Sequence, residues 1–192
     1  MSDGKWLAGL PILQIPEVTQ GRKNPLWMSL PTRLERLRRR SDVSQNWLAK
    51  ETSVASPIVS RIEANTTRPK VDTVEKLAAG LGVSPIYLAF GPEGGERFRL
   101  KTPAYLKNYD EPDPQPGAGV YTERYRGCSE RLRSSRERLG LSLRELAAAA
   151  TVSYQAVLNT ENGETVPRVD TIEAIAVALD VAPGWLAYGE DE

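Results

Sequence analysis

The chain has 192 residues, 40% of them hydrophobic, and its 25 basic residues balance 25 acidic ones. That hydrophobic share supports packed cores, and the length admits one ordinary domain or two small ones. The single cysteine, Cys128, excludes an internal disulfide, and the absence of histidine removes the commonest general base and the commonest metal ligand. No glycine-rich phosphate loop or paired-carboxylate motif stands out, so neither an enzyme, a metal nor a cofactor is expected. No run approaches the roughly 18 apolar residues of a membrane span. The segment WLAGLPILQI after Lys5 is cut by Gly9 and Pro11 and lacks a small-residue cleavage site. It reads as part of the mature protein, and a cytoplasmic protein is expected.

Residues 1–28, with Trp6, Trp27 and prolines at 11, 16 and 25, read as an extended arm that packs in cis or across a dimer. In LPTRLERLRRR, leucines at 30, 34 and 37 share one helical face and predict a first helix. Ser44 then caps a second helix, QNWLAKE, and a third runs from about Ser56 to Asn65. VDTVEKLAAGLG gives a fourth, with Asp72 in its first turn, and SPIYLAF a short fifth. Residues 92–126 contain DEPDPQPGAG, too rich in proline, glycine and acid to fold alone, and read as a linker. Its flanks, RFRLKTPAYLKNY and VYTERYRG, mix tyrosines with basic residues; docking on a domain and exposure are both open.

The same pattern then returns 98 positions later. Leu34–Gly91 and Leu132–Gly189 align without gaps and share 22 identities in 58 positions, mostly apolar or turn residues such as Leu48/Leu146, Val59/Val157 and Leu88/Leu186. Ser142 opens SLRE, a capping box; a third helix starts near Ser153 and stops at Gly163; VDTIEAIAVALD, with Asp170, and APGWLAY complete the copy. Two repeats of this length are too few for a solenoid, so each is expected to be a small all-α globule, over 29–91 and 127–192. Neither shows a strand pattern. Trp47, Tyr87 and Trp185 read as core or interface aromatics, and Ile175, Val177 and Leu186 as core or interface residues of the last two helices. Charge divides the copies: residues 29–91 hold 10 Lys and Arg against 6 Asp and Glu, and residues 127–192 hold 6 against 11. A basic domain attracts polyanions and an acidic one repels them, so unlike roles are expected.

Within each repeat, the tight turn at Val54 or Val152 between the second and third helices is the helix-turn-helix pattern, in which the third helix enters the DNA major groove. SQNWLAKETSVASPIVSRIEANTTRPKVDTVEKLAAGLGVSPIYL resembles the Xre family of bacterial and phage regulators, related to the Cro and CI repressors. LSLRELAAAATVSYQAVLNTENGETVPRVDTIEAIAVALDVAPGWL is similar to the same family. The resemblance covers about two thirds of the chain and matches the whole five-helix spacing. It implies base contacts from Ser56, Pro57, Ser60 and Arg61 in the first repeat. In the second, Tyr154, Gln155, Leu158 and Asn159 hold those places, with a retired recognition helix as the alternative. Arginine can pair with guanine, and Gln or Asn with adenine, each bidentately, so Arg61, Gln155 and Asn159 are the residues best able to read sequence.

The resemblance also implies phosphate contacts from Gln45, Asn65, Thr67, Arg68 and Lys70. The second copy has Leu143 in place of Gln45 and keeps only Thr165 and Arg168 of the rest. Arg38 with Glu63, and Arg136 with Glu161, match the family's ion pair between the first helix and the end of the third. One departure concerns the cap of the third helix, where the family favours Ser or Thr. Ala55 stands there, and Ser56 is expected to be the cap with Pro57 as first helical residue.

The resulting expectation is two tandem lambda-repressor-like domains in a sequence-specific transcriptional regulator that binds double-stranded DNA, the first domain carrying most of the affinity. A repressor of its own or a neighbouring operon, of phage or mobile-element origin, is what the resemblance suggests. A homodimer is favoured over a monomer that sets its two domains on unlike half-sites. Two rivals stand beside this reading: an antitoxin or adaptor whose second domain holds a protein partner, and an RNA-binding regulator.

Overall fold

A computed structural model describes residues 30–91 and 121–189. The expected arm, and the linker up to residue 120, lie outside the described residues. The first repeat consists of α1 (Leu30–Arg40), α2 (Gln45–Glu51), α3 (Ser56–Glu63), α4 (Val71–Leu81) and α5 (Pro85–Phe90). A 3-10 helix over Arg124–Gly127 leads into the second repeat, α6 (Cys128–Arg138), α7 (Leu143–Ala149), α8 (Tyr154–Glu161), α9 (Val169–Leu179) and α10 (Pro183–Tyr188). Among the described residues there is no strand, and the all-α expectation of two five-helix units holds.

The helix starts follow from the sequence chemistry. Ser44 accepts from the Trp47 amide at the head of α2, Ser142 and Glu145 form the reciprocal capping box of α7, and Ser153 accepts from the Ala156 amide at the head of α8. Gly163 follows α8 with φ 70, and Asn65 holds the matching place after α3 with φ 55. Glycine and asparagine are the residues that enter this left-handed region most readily. The third helix of the first repeat therefore stops at Glu63, two residues short of the expected end.

The expected cap at Ser56 is corrected. Ala55 holds the extended cap conformation, Ser56 is the first helical residue and Pro57 the second. Neither of the first two helical amides has an acceptor within the helix, so proline fits at either place. The start of α3 thus stays in register with α8, and no side chain caps it. Of the aromatics expected in the core or at an interface, Tyr87 is buried and Trp185 half-buried, whereas Trp47 is 46% exposed and lies outside the core.

Each core is closed by features common to both copies. Arg33, 2% exposed, donates to the carbonyls of Leu88 and Ala89 at the end of α5, and Arg131 does the same to Leu186 and Ala187 at the end of α10. These charges satisfy carbonyls that a helix end leaves without partners. Behind the turn of the first repeat, a Cβ on Gly80 would lie 2.4 Å from Thr52 Cγ2. The second repeat has Ala178 and Ala150 at those places, so bulk is added on one side and removed from the other.

The two repeats pack on each other in a pseudo-symmetric way. The Val71 amide donates to the Pro167 carbonyl at 3.0 Å, and the Val169 amide donates to the Pro69 carbonyl at 3.1 Å, forming an antiparallel bridge between Lys70 and Arg168. The two bonds exchange under the 98-residue offset, which places a pseudo-twofold axis between them. Helices α5 and α10 pack across the same boundary, and the buried residues of both repeats form one cluster. Tyr188 donates its hydroxyl to the Val71 carbonyl at 3.0 Å, and Arg68 pairs with Asp170 at 2.8 Å. The Glu75 carboxylate on α4 accepts from the amides of Arg124 and Tyr125, which ties the 3-10 helix to the first repeat.

Candidate nucleic-acid interface

In the first repeat, α3 buries Val59 and Ile62 and leaves Ser56, Pro57, Ser60 and Arg61 exposed. Positions 56, 57, 60 and 61 fall on one helical face, so the structure brings the four proposed base contacts together. Hydrogen-bond donors, an acceptor and an apolar ring thus share a surface that fits base edges.

That face is fixed by the ion pair at the base of the helix. Arg38 Nε and Nη2 bond Glu63 Oε1 and Oε2 at 2.7 and 2.9 Å, and its third nitrogen donates to the Val43 carbonyl. Burial pushes the Glu63 carboxyl upward, but hydrogen bonds from Arg38 and Gln45 and the charges of Arg38 and Arg39 outweigh this and hold it below the ordinary range. The second repeat repeats the fork: Arg136 bonds both Glu161 oxygens at 2.8 and 2.6 Å, with Arg133 alongside. There the Arg136 hydrogen bond is the main cause of the lowered Glu161 pKa. The four residues act as structural ties between the first helix and the end of the third.

Gln45 joins this network by donating to Glu63 Oε2 at 2.7 Å. Its amide carries two hydrogens, so one remains for a phosphate. Asn65, Arg68 and Lys70 are exposed after α3, and Thr67 is half-buried. Arg68 pairs through Nη1 with Asp170 across the domain boundary while its side chain stays half exposed, and Lys70 lies opposite Arg168 at the pseudo-twofold. Arg68 and Lys70 of the first repeat thus lie at the boundary with Arg168 of the second. The arginine run after Glu35 is not a uniform solvated face. Arg38 is inside the ion pair, Arg36 donates to the Tyr87 hydroxyl, and Arg39 pairs with Glu35.

In the second repeat, Tyr154 and Gln155 are exposed and Asn159 is half-buried. Gln155 Nε2 donates to Asn159 Oδ1, which fixes the two amides relative to each other. Gln155 keeps its oxygen and Asn159 its amino group, an acceptor and donors that complement an adenine edge. The acidity of this repeat is partly internal. Glu145 caps a helix, Glu161 is in the ion pair, Glu173 is buried, and Asp170 faces Arg68. Sequence reasoning missed Asn46: its Oδ1 accepts the Ser56 hydroxyl, across the turn between α2 and α3.

Two family models match the chain. One, described as a helix-turn-helix, covers residues 132–186, and another, described as a helix-turn-helix domain, covers residues 30–88. No curated protein and no solved structure matches. The chain is a tandem helix-turn-helix protein, and both repeats belong to the Xre-like, Cro and CI-related class. Such domains define a DNA-binding regulator in general, and their families are typically regulators without enzymatic activity. No helix among the described residues is long and apolar enough to cross a membrane.

Proposed function

We propose that the protein is a sequence-specific transcriptional regulator that binds an asymmetric operator as a single chain, its two repeats taking the place of the two subunits of a homodimer. The supporting observation is the reciprocal pair of backbone bonds at Val71 and Val169, which relates the repeats as subunits of a twofold dimer are related. The first repeat reads with Ser56, Pro57, Ser60 and Arg61, where Arg61 suits guanine; the second reads with Tyr154, Gln155 and Asn159, which suit an A·T pair. Gln45, Asn65, Thr67, Arg68, Lys70 and Arg168 supply the phosphate grip. A repressor of its own or a neighbouring operon is the regulatory form of this reading.

Selection of bound duplexes from random DNA, with sedimentation of the complex, tests it. One chain per site and two unlike half-sites, about one helical turn or a multiple apart, are expected. The Arg61→Ala chain should lose the preference in one half-site while keeping weak, sequence-independent binding. A palindromic motif bound by two chains would overturn the single-chain reading, and tighter binding to structured RNA than to any duplex would overturn DNA as the target.

A further inference from the structure

In each helix-turn-helix unit, the second residue of the helix before the turn, α2 or α7, lies beside the first residue of the recognition helix. In the first repeat these are Asn46 and Ser56, joined by the hydroxyl of Ser56 donating to Asn46 Oδ1. In the second they are Arg144 and Tyr154, with the guanidinium carbon 6.0 Å from the centre of the phenol ring. The two pairs occupy the same places under the 98-residue offset, yet no residue is shared between them. Each is chemically matched. Asparagine offers an acceptor to a hydroxyl, whereas arginine offers a cation to an aromatic face. Exchanging one member alone would change the contact, since an arginine cannot accept the serine's hydrogen bond and an asparagine carries no charge.

All four residues are exposed, Tyr154 at 43%. Their contacts hold up no core, so their consequence lies in what the first recognition residue can offer. A serine hydroxyl has one proton and two lone pairs. With its proton committed to Asn46, Ser56 presents lone pairs alone. It can then accept from adenine N6 or cytosine N4, but it cannot donate to guanine or to thymine O4. The cation beside Tyr154 instead stations an aromatic ring, whose apolar edge suits a thymine methyl.

We propose that Asn46 is a positioning residue that makes Ser56 an acceptor and so sets the base at one operator position. This rests on the proposed placement of α3 and α8 in the major groove. The test is the base preference of the full chain, measured by competition among operators that differ at single positions. The wild type should favour an exposed amino group at one position by about tenfold, the scale of one well-made hydrogen bond. Asn46→Ala frees the hydroxyl to donate and should reduce that preference to about twofold at that position only. Asn46→Asp still accepts the hydroxyl proton; it should restore the preference while weakening all sequences alike through its charge. An unchanged preference in Asn46→Ala, or a uniform loss of affinity, would overturn the inference while leaving the proposed function standing. Failure of the wild type to select any sequence would overturn both.

Discussion

The bidentate Arg38–Glu63 and Arg136–Glu161 forks show how much a side chain's task depends on its partners. Both glutamates are nearly enclosed, with side chains 6 and 7% exposed, so each needs its arginine. Removing one partner of such a pair leaves a charge in a poor medium, and Arg38→Met should cost about 3 kcal/mol in urea unfolding. The pH dependence has a definite sign. Both carboxyl pKa values lie below the ordinary range in the folded protein. Their contribution is therefore complete above the ordinary carboxylate range and is lost as pH falls through the lower folded values. Unfolding free energy should decline only as the pH falls into and below the ordinary carboxylate range, and Arg38→Met should flatten part of that decline; an unchanged acid limb would show that Glu63 does not carry it. These forks were legible in the sequence, because their residue types and spacing match the family. The Asn46–Ser56 contact was not. It joins two ordinary polar residues across a turn, and only the angle between the helices brings them together.

Helices carried most of what the sequence disclosed. Periodic leucines, capping serines and the VDT starts mark real boundaries, since each satisfies a local requirement of helix geometry. The head of α3 was misplaced by one residue for a physical reason: proline is acceptable at two successive positions, so it cannot tell which is the first. This helix consequently starts on Ala55 without a side-chain cap, while α8 starts on Ser153 with one. Ala55→Ser should supply the missing acceptor and stabilise the protein by about 1 kcal/mol, read as a higher urea midpoint at constant slope. No gain would mean that Pro57 or the Asn46 contact keeps the head of α3 from receiving a cap.

At the scale of the whole molecule, the decisive contacts are those least visible in a sequence. Pro69, Val71, Pro167 and Val169 meet through backbone atoms, which leave no side-chain signature, and Lys70 and Arg168 resemble phosphate ligands whether or not they lie at a boundary. The expectation of two separate globules missed their common apolar cluster. Because the repeats share buried surface, they should unfold together, in one calorimetric transition whose van't Hoff and calorimetric enthalpies agree. Two resolved transitions would mean that the boundary is weak. The reciprocal bridge at Val71 and Val169 also bears on how such a regulator answers to its own abundance. Proteins that must pair before they bind give an occupancy that rises steeply with concentration. With both reading heads already on one chain, the proposed regulator needs no encounter between copies, and mass action then gives a simple hyperbola. On the single-chain reading, each change in expression would pass on as a graded change in operator occupancy, and dilution at cell division would loosen control gradually, with no threshold to cross.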